Sequence, residues 1–78
     1  MSEDGTNKLV RMANQIADNF NYGDRDKSVA GVFDHLVRFW TMDMKQAIVE
    51  QHRRGPSGLN DIAADAVEAL AEKIGQAA

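Results

Sequence analysis

The stretch His35-Leu36-Val37-Arg38-Phe39-Trp40-Thr41-Met42-Asp43-Met44 decides the fold. Its first half ends a helical stripe in which Val29, Val32, Phe33, Leu36 and Trp40 recur at helical spacing, widened by Val37 and Phe39. Its second half opens another helix, because Thr41 is placed to accept hydrogen bonds from the free amides of a first turn. An aromatic pair at such a break reads as a corner where two helices lock together. Asp34 and Arg38, one turn apart on the far side, pair for roughly a few tenths of a kcal/mol.

Working outward, the corner helix runs from about Lys27 to Trp40, with Asp26 or Ser28 as its cap. Before it, Thr6 reads as the cap of a helix from about Asn7 to Asn21. Leu9, Met12, Ala13, Ile16, Ala17 and Phe20 share one face of that helix, with Arg11, Gln15 and Asp18 opposite. Asn21-Tyr22-Gly23-Asp24 supplies the turn, with Gly23 free to adopt a left-handed conformation.

After the corner, a helix from about Met42 to Arg54 carries Met44, Ala47 and Ile48 toward the core. Met42 and Val49 lie nearly opposite, flanked by Lys45, His52 and Arg53, and read as a second, unburied apolar side. Gly55-Pro56-Ser57-Gly58 is the strongest break in the chain. Asn60 then caps a last helix, in which Ile62, Ala63, Ala66, Val67, Leu70 and Ile74 line one face and Asp65, Glu68 and Glu72 the other. The expected fold is therefore all-α: one domain over residues 1–78 with about four short helices, its ends (1–5 and 75–78) frayed. The expected core is Leu9, Met12, Ile16, Phe20, Val29, Val32, Phe33, Leu36, Trp40, Ile48, Val67 and Leu70.

A chain of 78 residues buries only a little over roughly 60% of its unfolded surface, so its stability on its own is marginal. It contains no cysteine, which removes disulfides, thiolate metal sites and iron–sulfur ligation as support or as chemistry. Partner binding is the easiest support left. A net charge of −3 argues against a general nucleic-acid binder. Met1-Ser2-Glu3-Asp4-Gly5 has no apolar signal core, and no run reaches the roughly 20 apolar residues of a membrane span. A soluble, cytoplasmic protein without membrane contact is expected.

No catalytic constellation emerges. His35 and His52 are the only histidines, and neither has a second ligand at zinc-like spacing. His35 reads as a packed or edge histidine rather than a general base, and His52 as part of a solvated helix end beside Arg53 and Arg54. There is no Gly-rich phosphate loop, nucleophile elbow or HExxH motif. The basic residues are scattered, and the helix after the Gly-Pro turn is acidic, which ranks a DNA-reading helix-turn-helix well below protein binding. The surface assigned to a partner comprises His35, Phe39, Met42, Lys45, Val49 and His52, with Asn14 and Gln15 as polar docking candidates.

Three blocks carry a family resemblance. They are KLVRMANQIA over residues 8–17 followed by Phe20, HLVRFW over residues 35–40 followed by Met44, and Gly58-Leu59 followed by Ala66-Val67 and Leu70. In order and spacing they resemble the delta subunit of bacterial soluble, NAD-dependent, molybdenum-containing formate dehydrogenases. Family members often have Asp-Pro after FW; here Thr41-Met42 stands there, and Thr41 can still cap. The resemblance implies a non-catalytic accessory chain that docks on the catalytic alpha subunit, within a complex with beta and gamma subunits, and stabilises the holoenzyme. It implies no cofactor on this chain, with molybdopterin guanine dinucleotide, iron–sulfur clusters and FMN on the other subunits. The alternative is a maturation chaperone assisting molybdenum cofactor insertion or modification, and a remote one is a small helical DNA-binding regulator.

Overall fold

The computed structural model describes the backbone of residues 4–55 and 57–77 and the side chains of residues 8–55 and 57–75. Four helices follow in order: α1 (Asp4–Asn19), α2 (Arg25–Phe39), α3 (Met42–Arg53) and α4 (Asp61–Ala77). There is no strand among the described residues. The helix count and the all-α class are as expected from periodicity.

The local signals differ in how well they place the ends. Thr41 caps α3 as expected, its Oγ1 accepting from the Met44 amide at 3.2 Å. The Trp40 amide still donates to Leu36, so the corner passes from one helix to the next within two residues. Asn60 caps α4, its Oδ1 accepting from the Ala63 amide at 2.8 Å. Gly23 takes the left-handed conformation expected of it, with φ of 78°. Two caps differ from expectation. Helix α1 already begins at Asp4, so Thr6 lies inside it rather than capping it. Helix α2 is capped by Asp24, whose carboxylate accepts from the Lys27 amide at 3.1 Å, not by Asp26 or Ser28. At the other end, α4 continues through Gly75 to Ala77. The expected fraying at residues 1–3 and 78, and Pro56 of the central break, lie outside the described residues.

Helix α4 is the hub: it packs on α2, α3 and α1, while α1 also meets α2 and α3. Its alanines make this possible, since Ala63 and Ala66 are fully buried and let neighbouring backbones approach closely. Val32, Leu36, Ile48, Val67 and Leu70 fill the centre at 1% exposure or less. Each such side chain contributes about 1.5–3 kcal/mol relative to an exposed position. In α1 the deepest side chains are Val10, Ala13 and Ala17. Leu9, Met12, Ile16 and Phe20, expected at the centre, pack at its margin instead. The inward face of α1 is thus turned by about one residue, with Val10, Ala13 and Ala17 innermost and the larger side chains at the margin.

Candidate protein-docking groove

The large side chains left at that margin build the site. Met12, Gln15 and Ile16 of α1 face His35 and Phe39 of α2 and Met44 of α3 across a groove of about 420 Å³. Trp40, at the corner, closes its floor and is buried. The His35 ring lies tilted between two others, 5.8 Å from Phe20 and 4.7 Å from Phe39 by ring centroids. Phe39 is nonetheless 69% exposed, and Met42, just past the corner, 51%. Phe39 lines the groove, while Met42 is exposed outside its lining. No α4 side chain lines the groove.

Phe20 anchors the aromatic row from behind. A Cβ on Gly31 would stand 2.8 Å from Phe20 Cδ1, so α2 needs a glycine there for the ring to lie flat on it. The same ring meets Tyr22 edge-on at 5.9 Å. Ser28 supports the turn beneath: it is fully buried, and its hydroxyl accepts from the Tyr22 amide at 3.0 Å. Neither Gly31 nor Ser28 was expected to matter in this way. A glycine inside an apolar helical stripe and a serine one turn past the first cap-competent Asp were the available signals.

Three of the candidate partner residues turn out to serve the fold. Val49 is 6% exposed and belongs to the core. The expectation that it faces outward fails because α3 has two helical neighbours, α1 and α4. Adjacent positions 48 and 49, about 100° apart on a helix, each find one to bury against. Val49 lies on the α4 side, in a cleft shared with Ala71 and Ile74. His52 does not belong to a solvated helix end. Its Nε2 lies 3.2 Å from Glu68 of α4 and its Nδ1 3.4 Å from the Ser57 hydroxyl. A neutral ring protonated on Nε2 satisfies both contacts, donating to the carboxylate and accepting from the serine.

Asn14 is likewise an internal clamp rather than a docking group. Its Nδ2 donates to the Gly58 carbonyl at 2.9 Å and its Oδ1 accepts from the Asn60 amide at 2.8 Å. One side chain of α1 thereby fixes the loop that launches α4. Gly58 sits there at φ of 87°, and a Cβ would lie 3.5 Å from Val10. Gln15, His35, Phe39 and Met42 remain at the surface around the groove, with Lys45 half-buried beside Met44. The acidic outer face of α4 is also partly used internally: Asp65 pairs with Arg25 of α2, as Glu68 does with His52. Exposed pairs of this kind contribute about 0–1 kcal/mol.

The described residues contain no group of three or more His, Cys, Asp and Glu side chains placed to hold a metal ion, and no helix long and apolar enough to cross a membrane. The three sequence blocks meet in space at two points. Block one clamps block three through Asn14 and Gly58, and it faces block two across the groove through Met12 and His35. The family model of the NADH-dependent formate dehydrogenase delta subunit (FdsD) matches residues 8–67, which span all but the end of this arrangement. The chain belongs to that delta-subunit family. No curated protein and no solved structure matches it. Within the delta-subunit match lie the Asn14 clamp, the Phe39–Trp40 corner and the whole groove, whereas Leu70 and the last turns of α4 fall beyond it.

Proposed function

We propose that this delta-subunit chain is a non-catalytic accessory subunit of a formate dehydrogenase, docking on the molybdenum-containing catalytic subunit and stabilising the holoenzyme. The observation that carries the reading is the family match over residues 8–67. Two features support it. The chain is small and without cysteine, so a partner is its simplest source of added stability. It also leaves Phe39 exposed in the groove and Met42 exposed just past the corner. Burying one such side chain on a partner is worth about 1.5–3 kcal/mol. Cofactors and the formate chemistry then reside on the other subunits, in the cytoplasm, and this chain supplies shape.

The test is copurification of the complex through a tag on the catalytic subunit. The delta chain is expected in stoichiometric amount, and Phe39→Asp with Met42→Asp removes it while the helical circular dichroism of the isolated variant is unchanged. A chain that is absent from purified active enzyme, or that stays bound despite both substitutions, overturns the reading. Absence from active enzyme combined with cofactor-free catalytic subunit in a deletion strain would point instead to the maturation role.

A further inference from the structure

A hydroxyl, an imidazole and a carboxylate meet where α3 gives way to α4, and none of the three lines the groove. The Ser57 hydroxyl, in the loop before α4, lies 3.4 Å from Nδ1 of His52 in the last turn of α3. On the other side of the ring, Nε2 lies 3.2 Å from a carboxylate oxygen of Glu68 on α4. A carboxylate only accepts, so the ring proton belongs on Nε2 and the Nδ1 lone pair faces the hydroxyl. Serine is a weak nucleophile until a base stands beside it, and the base is useful when a third group fixes its orientation. Ser57, His52 and Glu68 stand in those three relations.

The other aliphatic hydroxyls of the described residues are placed differently. Ser28 is fully buried and given to the Tyr22 amide, and the Thr41 hydroxyl is given to the Met44 amide as a helix cap. Ser57 is half-buried, and a Cβ on nearby Gly55 would meet nothing within 4 Å, so the loop is open to a small reagent. We propose that Ser57 is an acylation site of this chain, taking a small acyl group from a thioester or aryl ester. Its Oγ attacks the carbonyl carbon as the hydroxyl proton passes to His52 Nδ1. The bond from that carbon to sulfur or to the aryl oxygen then breaks, and the proton leaves Nδ1 with the thiol or phenol. An ester on Ser57 remains, and the imidazole is neutral again. Between the two proton transfers the ring is cationic and the Glu68 carboxylate faces it, which makes Glu68 a positioning residue.

The full chain treated with p-nitrophenyl acetate tests the assignment, with acetylation at each residue followed over time by peptide mass spectrometry. Ser57 is expected to be acetylated, while Ser28 and Thr41 are not. A positioned base contributes about a hundredfold or more to such a transfer, so His52→Gln should slow Ser57 acetylation by about that factor. Acetylation of Lys73 in the same digest reports the reagent and should not change. His52 also ties α3 to α4, so a second variant keeps the test clear of folding: Glu68 is exposed, and Glu68→Gln removes no buried side chain. Its carboxamide can donate to Nε2 and so move the ring proton to Nδ1, which takes the base away from Ser57. A loss of about tenfold or more is expected with the helical circular dichroism unchanged. No acetyl group on Ser57 of the native chain, or an unchanged rate in folded Glu68→Gln, overturns the proposal.

Discussion

Replacing Asn14 tests whether the loop before α4 is held from α1. In Asn14→Ala both hydrogen bonds of the clamp are lost, to the Gly58 carbonyl and to the Asn60 amide. The first is exposed, so water replaces it and its loss is modest. The second is half-buried, so the Asn60 amide is left with a poorer partner just where α4 begins. A net hydrogen bond is worth about 0.5–1.5 kcal/mol and a stranded buried group about 1–3 kcal/mol, which places the total near 2 kcal/mol. Unfolding entropy of about 2.1 cal/mol/K per residue converts this into a Tm lower by about 12 °C for a 78-residue chain.

Asn14→Asp sharpens the test. The carboxylate keeps the acceptor for Asn60 but turns a second oxygen toward the Gly58 carbonyl, where a donor stood. At neutral pH this variant should lose at least as much stability as Asn14→Ala. A facing carbonyl oxygen disfavours the ionised form, so the introduced carboxyl titrates higher in the folded than in the unfolded chain. Its deficit therefore shrinks as pH falls and the regained proton donates to Gly58. Thermal unfolding followed by circular dichroism, with urea unfolding alongside, measures both variants. A Tm within about 2 °C of the native value for Asn14→Ala, under a tenth of total stability, would show that the clamp carries nothing.

Two further substitutions test the support under the aromatic row by urea unfolding. Gly31→Ala gains up to about 1 kcal/mol of helix propensity yet should destabilise the native chain, because its Cβ meets Phe20 at 2.8 Å; in a Phe20→Ala background the same change should become stabilising, and additive effects would refute the contact. Ser28→Ala adds no bulk and strips the Tyr22 amide of its acceptor, and should cost about 1–3 kcal/mol.

How much of this was legible in the sequence depends on the range of the interaction. Thr41, Asn60 and Gly23 act within a few residues of themselves, so their chemistry names their place directly. Asp24, Asp26 and Ser28 are all competent to cap, and nothing local chooses among them. The choice falls to Asp24 because Ser28 is needed in the interior by Tyr22. Asn14 and His52 find their partners across 44 and 16 residues, on a helix whose position no local rule supplies. The turning of α1 has the same origin. Leu9 to Phe20 form one broad apolar arc, and only packing against the three other helices decides that Val10, Ala13 and Ala17 lie deepest. Val49 was misread because an apolar stripe opposite another looks like surplus until two neighbouring helices are in place. Phe39 and Met42, which flank the corner, keep the exposure expected of them.

The division between clamp and groove constrains what mutations of this chain can teach about assembly. Asn14, Val49 and His52 look like interface candidates by sequence, but each is held inside the domain, so replacing them lowers stability first and binding only as a consequence. In a domain whose total stability is about 4–12 kcal/mol, a loss of 2–3 kcal/mol already depletes the folded population available to a partner at physiological temperature. Loss of copurification after such a change therefore says nothing about contact. Phe39 and Met42 are different, because more than half of each side chain faces solvent and its removal opens no cavity. Substitution at an exposed position such as Arg11 is cleaner still, since it removes no buried side chain and no helix cap. Only substitutions of this second kind can separate what the chain does for its partner from what it does for itself.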